Sequence, residues 1–504
     1  MSCFIGVDIG TSGTKTVLFS SIGLTLASET VEYPLYQPQN GWAEQDPSDW
    51  WNATVQTIAA VISKSGVSVS DIKGIGISGQ MHGLVMLDSE GKVIRPSIIW
   101  CDQRTSKECD EITQRVGKER LIEITANPAL TGFTASKILW VRNNEPENYA
   151  KCRKILLPKD YIRFMLSGQF ATEVSDASGM QLIDINTRDW SEEVLAKLEI
   201  DKGLLAEVHE SQEISSEVNS YASKLTGLNV GTAIAGGAGD QAAGAVGNGI
   251  VREGLISSTI GSSGVVFAHT DKPIIDLKGR IHTFCHAVPG AWHVMGVTQG
   301  AGLSLKWFRD NFCNEEIEAS KKTNSDPYIL MDKEAANVPP GSNSLIYLPY
   351  LMGERTPHLD PNARGVFFGL SAIHTKSDMI RAIMEGVVFS LKNCMDIISD
   401  TNIEFCEVRA SGGGGRSELW RQMQADVFNC QVNTTNASEG PALGVAILAA
   451  VGTGEYKDVS EACQAIIKVK SSVQPNPNYL QAYEKAYDIY NGLYPALKDS
   501  FSNL

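Results

Sequence analysis

The chain has 504 residues, 43 Lys+Arg against 58 Asp+Glu, and a formal net charge of −15. Hydrophobic residues at 43% and charged residues at 20% exclude large-scale disorder, and the length suits two large domains or three smaller ones without covalent staples. The acidic balance excludes the basic footprint of a nucleic-acid binder, yet anions can still be held locally by backbone N–H groups and magnesium.

From the N-terminus, MSCFIGVDIG lacks a basic lead-in and carries Asp8, so no signal peptide is expected. Residues 4–9 and 16–20 predict two strands around Gly10-Thr11-Ser12-Gly13, with a third strand after Gly23. A helix is expected over 49–63, strands over 72–78 and 85–87, and helical or surface segments over 104–116 and 145–154. The glycine-rich stretch 236–249 marks the expected boundary between a domain of residues 1–249 and one of 250–504. Just after it, 255–260, Gly261-Ser262-Ser263-Gly264 and 265–268 repeat the opening strand–turn–strand, which implies two domains built on one plan. Helices are predicted over 304–312, 377–402, 417–428 and 479–504. Interspersed with strands, they give an α/β architecture. The most apolar stretch, 441–452, is too short to span a bilayer, so no membrane partner is expected. Ten cysteines at irregular spacing, with no Cys-x-x-Cys pair, predict reduced thiols in a cytoplasmic protein.

Five segments could carry chemistry. In Asp8-Ile9-Gly10-Thr11-Ser12-Gly13-Thr14-Lys15, glycines free backbone N–H groups to hold phosphate oxygens. Thr11, Ser12 and Thr14 add hydroxyls, Lys15 adds a cation, and Asp8 is a candidate magnesium ligand through water. An ordinary hairpin turn is the plain alternative. The second turn, Gly261–Gly264, keeps the glycines and hydroxyls but has Thr259 and Val266 where Asp8 and Lys15 stand. Ser411-Gly412-Gly413-Gly414-Gly415-Arg416-Ser417 opens a helix, where free N–H groups and the positive dipole end attract an anion, and its bare backbone admits a flat ligand such as adenosine. In residues 236–244, Asp240 stands alone among small residues; poor solvation would raise its pKa towards general-base duty, while helix N-terminal capping is the alternative. Gln80 and His82 of Gly79-Gln80-Met81-His82-Gly83 are directional groups at a strand end, suited to sugar hydroxyls. Trp100, Asp102 and Arg104 either line a polar pocket or form an internal salt bridge.

Other readings lose their support. Gly74-x-Gly76-x-x-Gly79 is followed by more strand, and Gly237-x-Gly239-x-x-Ala242 lacks the downstream acid of a dinucleotide site. P-loop and Gly-x-Ser-x-Gly patterns are absent. His282, Cys285, His286 and His293 alternate with apolar neighbours, a β pattern rather than a zinc site.

The chain resembles the FGGY carbohydrate kinases over nearly its whole length. The likeness is carried by residues 6–15, WAEQDPSDWW at 42–51, GQMHG at 79–83, 100–105, LLPKDY at 156–161, VSDASG at 174–179, 236–247, LPYLMGERTPHLDPNARGVFFG at 348–369 and 412–426. It implies two actin-like (RNase H-like) domains flanking a deep cleft, with sugar deep inside and ATP nearer the mouth. The implied reaction is ATP-dependent phosphorylation of the 5-hydroxyl of a ketopentose, D-xylulose; an FGGY kinase for another ketose or polyol, or a non-catalytic sugar sensor, is the alternative. By the resemblance, Asp240 is the general base and Gln80, Met81, His82, Trp100, Asp102, Asp240 and Gln241 surround the sugar. Thr11, Ser12, Gly13, Thr14, Lys15, Gly261, Ser262, Ser263, Gly302, Lys306, Gly413, Gly414 and Ser417 fall where related kinases bind ATP, with Asp8 and Asp240 near Mg2+. Gln241 stands where many ketopentose kinases of the family have Asn, and Ser262 where Thr is common, so the sugar's identity stays open; so does the assembly, with a homodimer as one form.

Overall fold

The computed structural model describes residues 2–437 and 439–504. β1 (Cys3–Ile9), β2 (Gly13–Ser20) and β3 (Thr25–Glu32) form an antiparallel meander. The strand-forming residues of β1 and β2 are buried almost throughout, whereas β3 alternates like an edge strand with one wet face. α1 (Pro47–Ser65) starts at Asp46, whose carboxylate accepts from the Ser48 N–H, and stops at Gly66 in the left-handed region. β4 (Ile72–Gly79) then pairs parallel to β1. Residues 84–205 add a helical cap with its own core, including Leu84, Ile112, Leu139 and Leu195. Within this region lie α2 (Pro158–Ser167) and the short α3 (Val174–Ser178). β5 (Ile214–Glu217), β6 (Ala233–Ala235) and β7 (Ala238–Gly239) complete the sheet in the order β5–β6–β4–β1–β2–β3, with β7 beside β4.

α4 (Asp240–Gly247) leads out of this sheet to β8 (Gly254–Ile260), β9 (Gly264–Thr270), β10 (His282–Cys285) and β11 (Trp292–Thr298). α5 (Gly302–Phe312) and the 24-residue α6 (Lys376–Ser399) pack behind. β12 (Phe405–Gly412), α7 (Glu418–Phe428), β13 (Gln431–Thr435), α8 (Gly440–Gly452), β14 (Val469–Val473) and α9 (Leu480–Phe501) follow. The second sheet has the order β10–β11–β9–β8–β12–β13–β14. Its pairing repeats that of the first: an antiparallel meander, two parallel strands on its open side and an antiparallel edge. The expected duplication is therefore visible in the topology. One detail differs: Asp8 pairs with Lys15, but Thr259 pairs with Val265 rather than Val266, so the second turn is one residue tighter.

α9 packs in the core of the second lobe, where Tyr483, Tyr490 and Tyr494 join Phe389 and Tyr350. The apolar stretch 441–452 is the body of α8, which crosses back to cover β1 and β4 and joins a core with Phe4, Val17 and Val246. That crossing depends on glycines. A Cβ on Gly6 or Gly76 would stand 1.9 Å from the Ala442 or Val445 carbonyl oxygen, and one on Gly444 would stand 1.8 Å from that of Ala243. Backbone lies directly on backbone, and α4 is fixed relative to both lobes. Among the described residues, no helix is long and apolar enough to cross a membrane.

Candidate active site

The turn between β1 and β2 is closed by the Gly10 N–H donating to the Gly13 carbonyl at 3.0 Å; its counterpart, Gly261 N–H to Ser263 carbonyl, measures 2.9 Å. Ser12 is exposed at the first turn. Thr11 receives the indole N–H of Trp100 at 2.9 Å. Thr14 does not face the cleft: it is fully buried near Tyr33, whose hydroxyl donates to the Gly10 carbonyl at 2.6 Å. Strand alternation turns it inward, and the sequence motif could not show that. Lys15 forms an ion pair with Glu439 just ahead of α8.

At the second turn the candidate nucleotide residues come together. Gly261, Ser262, Gly302, Lys306, Gly413, Gly414 and Ser417 all line one cavity of about 520 Å³, walled by Ile260, Leu305, Tyr328 and Trp420. The N-terminus of α5 is tied to the turn, since the Gly302 N–H donates to the Gly261 carbonyl at 2.8 Å and the Leu303 N–H to that of Ser262 at 3.1 Å. Gly414 lies against Ile260, where a Cβ would come within 2.6 Å of the side chain. Ser417 Oγ caps α7 by accepting from the Trp420 N–H at 3.0 Å, so its side chain serves the helix as well as the wall. Ser263 is the one member of this set absent from the lining.

A second cavity, of about 530 Å³, lies between the lobes. It runs from Asp240, Gln241 and Gly244 past Thr259, Val265 and Ser411 to Thr435 and Pro441. The two cavities share Gly413 and Arg416, so they join at the glycine loop. Another hollow, of about 580 Å³ near Arg188, Trp190 and His209, meets the motifs only at Val174.

Asp240 opens α4 at the inner end of the cleft. Desolvation, and then the like charge of Asp8, push its pKa up to about 7, against bonds from Gln241 backbone and side chain that favour the ionised form. Burial also raises Asp8, and its Oδ1 is enclosed without a hydrogen-bond partner. Two oxygen-donor carboxylates, one with an unsatisfied atom, fit a hard cation such as Mg2+. No cluster of three or more ligating side chains occurs among the described residues.

Beside Asp240 lies the GQMHG segment. Gly239 and Gly179 both press on Met81, with a Cβ on either falling 2.8 Å or 2.9 Å from its side chain. His82 has a positive φ of 69° and shares a 2.7 Å hydrogen bond between Nδ1 and the Gly179 carbonyl. Burial, reinforced by the Lys137 charge, lowers its pKa to about 3. The ring is neutral, Nδ1 is the donor, and Nε2 is left as an acceptor. Gln80 is buried and donates to Gln45 at 2.7 Å, so it braces the site from behind. Trp100 is 45% exposed at the rim. Asp102 takes the salt-bridge alternative: fully buried, it accepts from Arg104 and from the Ala43 N–H and does not reach the cleft.

Sequence reasoning missed a buried support. Lys159 Nζ lies 2.7 Å from Asp160, 3.3 Å from Glu173 and 3.7 Å from Asp176. Glu173 accepts from the Ser175 hydroxyl at 3.0 Å, and Ser175 Oγ accepts from the Gly239 N–H at 3.1 Å. This chain fixes the peptide that precedes Asp240. Its signal was the charged residues inside LLPKDY and VSDASG, which are too apolar in setting for a solvated face.

Model matches agree with this geometry. The N-terminal domain of the FGGY family of carbohydrate kinases matches residues 3–247 and the C-terminal domain residues 256–453. A xylulose kinase of Bacillus subtilis is 38% identical over 99% of this chain and 98% of its own length. One from Lactococcus lactis is 40% identical over 98% and 97%. The structure of a ligand-bound xylulose kinase from Lactobacillus acidophilus superposes with a TM-score of 0.92 at 28% identity, covering 100% of both chains. With both family domains matched and relatives alike over nearly the whole length, the chain belongs to the FGGY family of carbohydrate kinases.

Proposed function

We propose that this protein transfers the γ-phosphoryl group of ATP to the 5-hydroxyl of D-xylulose, giving D-xylulose 5-phosphate and ADP. The observation that carries the reading is the position of Asp240, next to Gly239 against Met81 and on the wall of the glycine-lined cavity. The substrate class follows from the relatives, and the pocket suits it: a neutral imidazole acceptor and an apolar methionine face match the hydroxyls and carbon edge of a short polyhydroxy ketone.

Phosphoryl transfer needs positioning and charge stabilisation more than covalent help. Asp240, with its pKa near neutrality, accepts the proton of the attacking hydroxyl as the new O–P bond forms. Gly413 and Gly414 leave backbone N–H groups, and Gly261 bare surface, for the nucleotide. Asp8 and Asp240 would hold Mg2+, which supplies charge neutralisation on the phosphates. The ten free thiols accord with a reducing compartment, the cytosol.

The test is a coupled-ADP screen over D-xylulose, L-xylulose, D-ribulose, glycerol and gluconate. D-xylulose is expected to have the highest kcat/KM; a higher value for any other acceptor overturns the substrate assignment.

A further inference from the structure

The GERTPH segment of the second lobe carries a cation that the reading so far leaves without a task. Glu354 is buried and committed: it accepts from Thr298 Oγ1 at 2.7 Å, the Gln299 N–H at 2.9 Å and the Arg355 N–H at 2.7 Å. Thr356 ties the same loop to the sheet, its N–H donating to the Val297 carbonyl at 2.9 Å and its hydroxyl to that of Arg280 at 3.0 Å. The backbone of Arg355 is thus held rigidly on both sides. Its side chain is partly buried and makes no hydrogen bond or ion pair among the described residues, and desolvation without a compensating anion lowers its pKa to about 10. The other buried arginines are paired: Arg104 with Asp102, Arg163 with Asp160, Arg381 with Glu385.

The charge of Arg355 bears on two rings, His82 of the first lobe and His282 of the second. These rings belong to one aromatic cluster at the lobe junction, with Phe133 4.8 Å from His82 and 6.0 Å from His282. An uncompensated guanidinium in such surroundings is unfavourable unless a ligand supplies the missing acceptors.

We propose that Arg355 is a sugar-binding residue contributed by the second lobe, donating to the oxygens of the ketose opposite His82. The assignment rests on the sugar-kinase reading above. The ring of His82 accepts from a hydroxyl and Arg355 donates to a carbonyl or hydroxyl oxygen, so a polyhydroxy ketone satisfies both at once. Because the two residues sit on different lobes, bound sugar bridges them, and its arrival draws the lobes together.

Arg355→Met and Arg355→Lys decide the matter. Loss of a charge-assisted bond predicts a D-xylulose KM raised roughly 10- to 100-fold in the Met variant, with partial recovery in the Lys variant. ATP affinity measured by calorimetry should stay within about twofold. The melting temperature of the unliganded Met variant should be unchanged or higher, because an unpaired cation has been removed; a residue with only a structural role would lower it. A sugar KM within about twofold of wild type, or an equal loss of ATP affinity, overturns the proposal. If the wild-type protein prefers another acceptor, the substrate assignment falls, and the same ratios measured with that acceptor still decide the role of Arg355. If it phosphorylates none, both fall.

Discussion

At the scale of residues, the site depends on two carboxylates that disfavour each other's charge. Asp240 must be ionised to accept a proton, and its pKa is raised to about 7, so kcat/KM should climb as pH rises through that value and level off above it. Asp8 is the second-largest cause of that elevation. Asp8→Asn removes the like charge and should move the acidic limb of the pH–rate profile to lower pH, while the magnesium concentration needed for half-maximal rate increases. An unmoved limb would show that Asp8 does not act on Asp240. Residue types were legible here: a lone aspartate among glycines and alanines, and an aspartate ahead of a Gly-Thr-Ser-Gly turn, announce themselves. Side-chain direction was not. Thr14 turns into the core near Tyr33, Asp102 accepts from the Ala43 N–H, and the charge of Arg355 acts on His82; each depends on a partner distant in sequence.

At the scale of elements, glycine sets the geometry wherever backbone meets backbone. α4 presents Asp240 only because α8 lies against it through Gly444 and Gly247. Gly444→Ala would force a methyl group to within 1.8 Å of the Ala243 carbonyl. The expected destabilisation is about 1–3 kcal/mol, read as a lower denaturant midpoint, together with reduced kcat as α4 shifts. An unchanged midpoint would mean that the helix pair is not tightly seated. Strands and helices were well foreshadowed by periodicity, and the helix expected over 49–63 spans Pro47–Ser65. The role of 441–452 was not: its apolar composition marked it as buried, but nothing local said that it would cover the first sheet from the far end of the chain.

At the scale of the whole molecule, the repeated meander turns two sheets towards one cleft, with the cavity of Gly261, Gly413 and Gly414 on the second lobe and Met81, His82 and Asp240 on the first. The duplication could be read from the paired Gly-x-Ser-Gly turns; the cleft could not, because it depends on how the lobes meet. They are tied by Asn127 to the Thr283 carbonyl at 2.8 Å, by Trp292 to that of Ile185 at 2.7 Å and by the Lys15–Glu439 ion pair, while the cavity of about 530 Å³ leaves room for them to close on ligands. Sugar with a non-hydrolysable ATP analogue should therefore reduce the radius of gyration in solution scattering, and an unchanged radius would argue against closure. The central claim is that Asp240 is the base at the floor of this cleft, and Asp240→Asn tests it most directly. Calorimetric D-xylulose binding should persist while kcat falls by roughly two to four orders of magnitude; turnover close to that of the wild type would contradict the account.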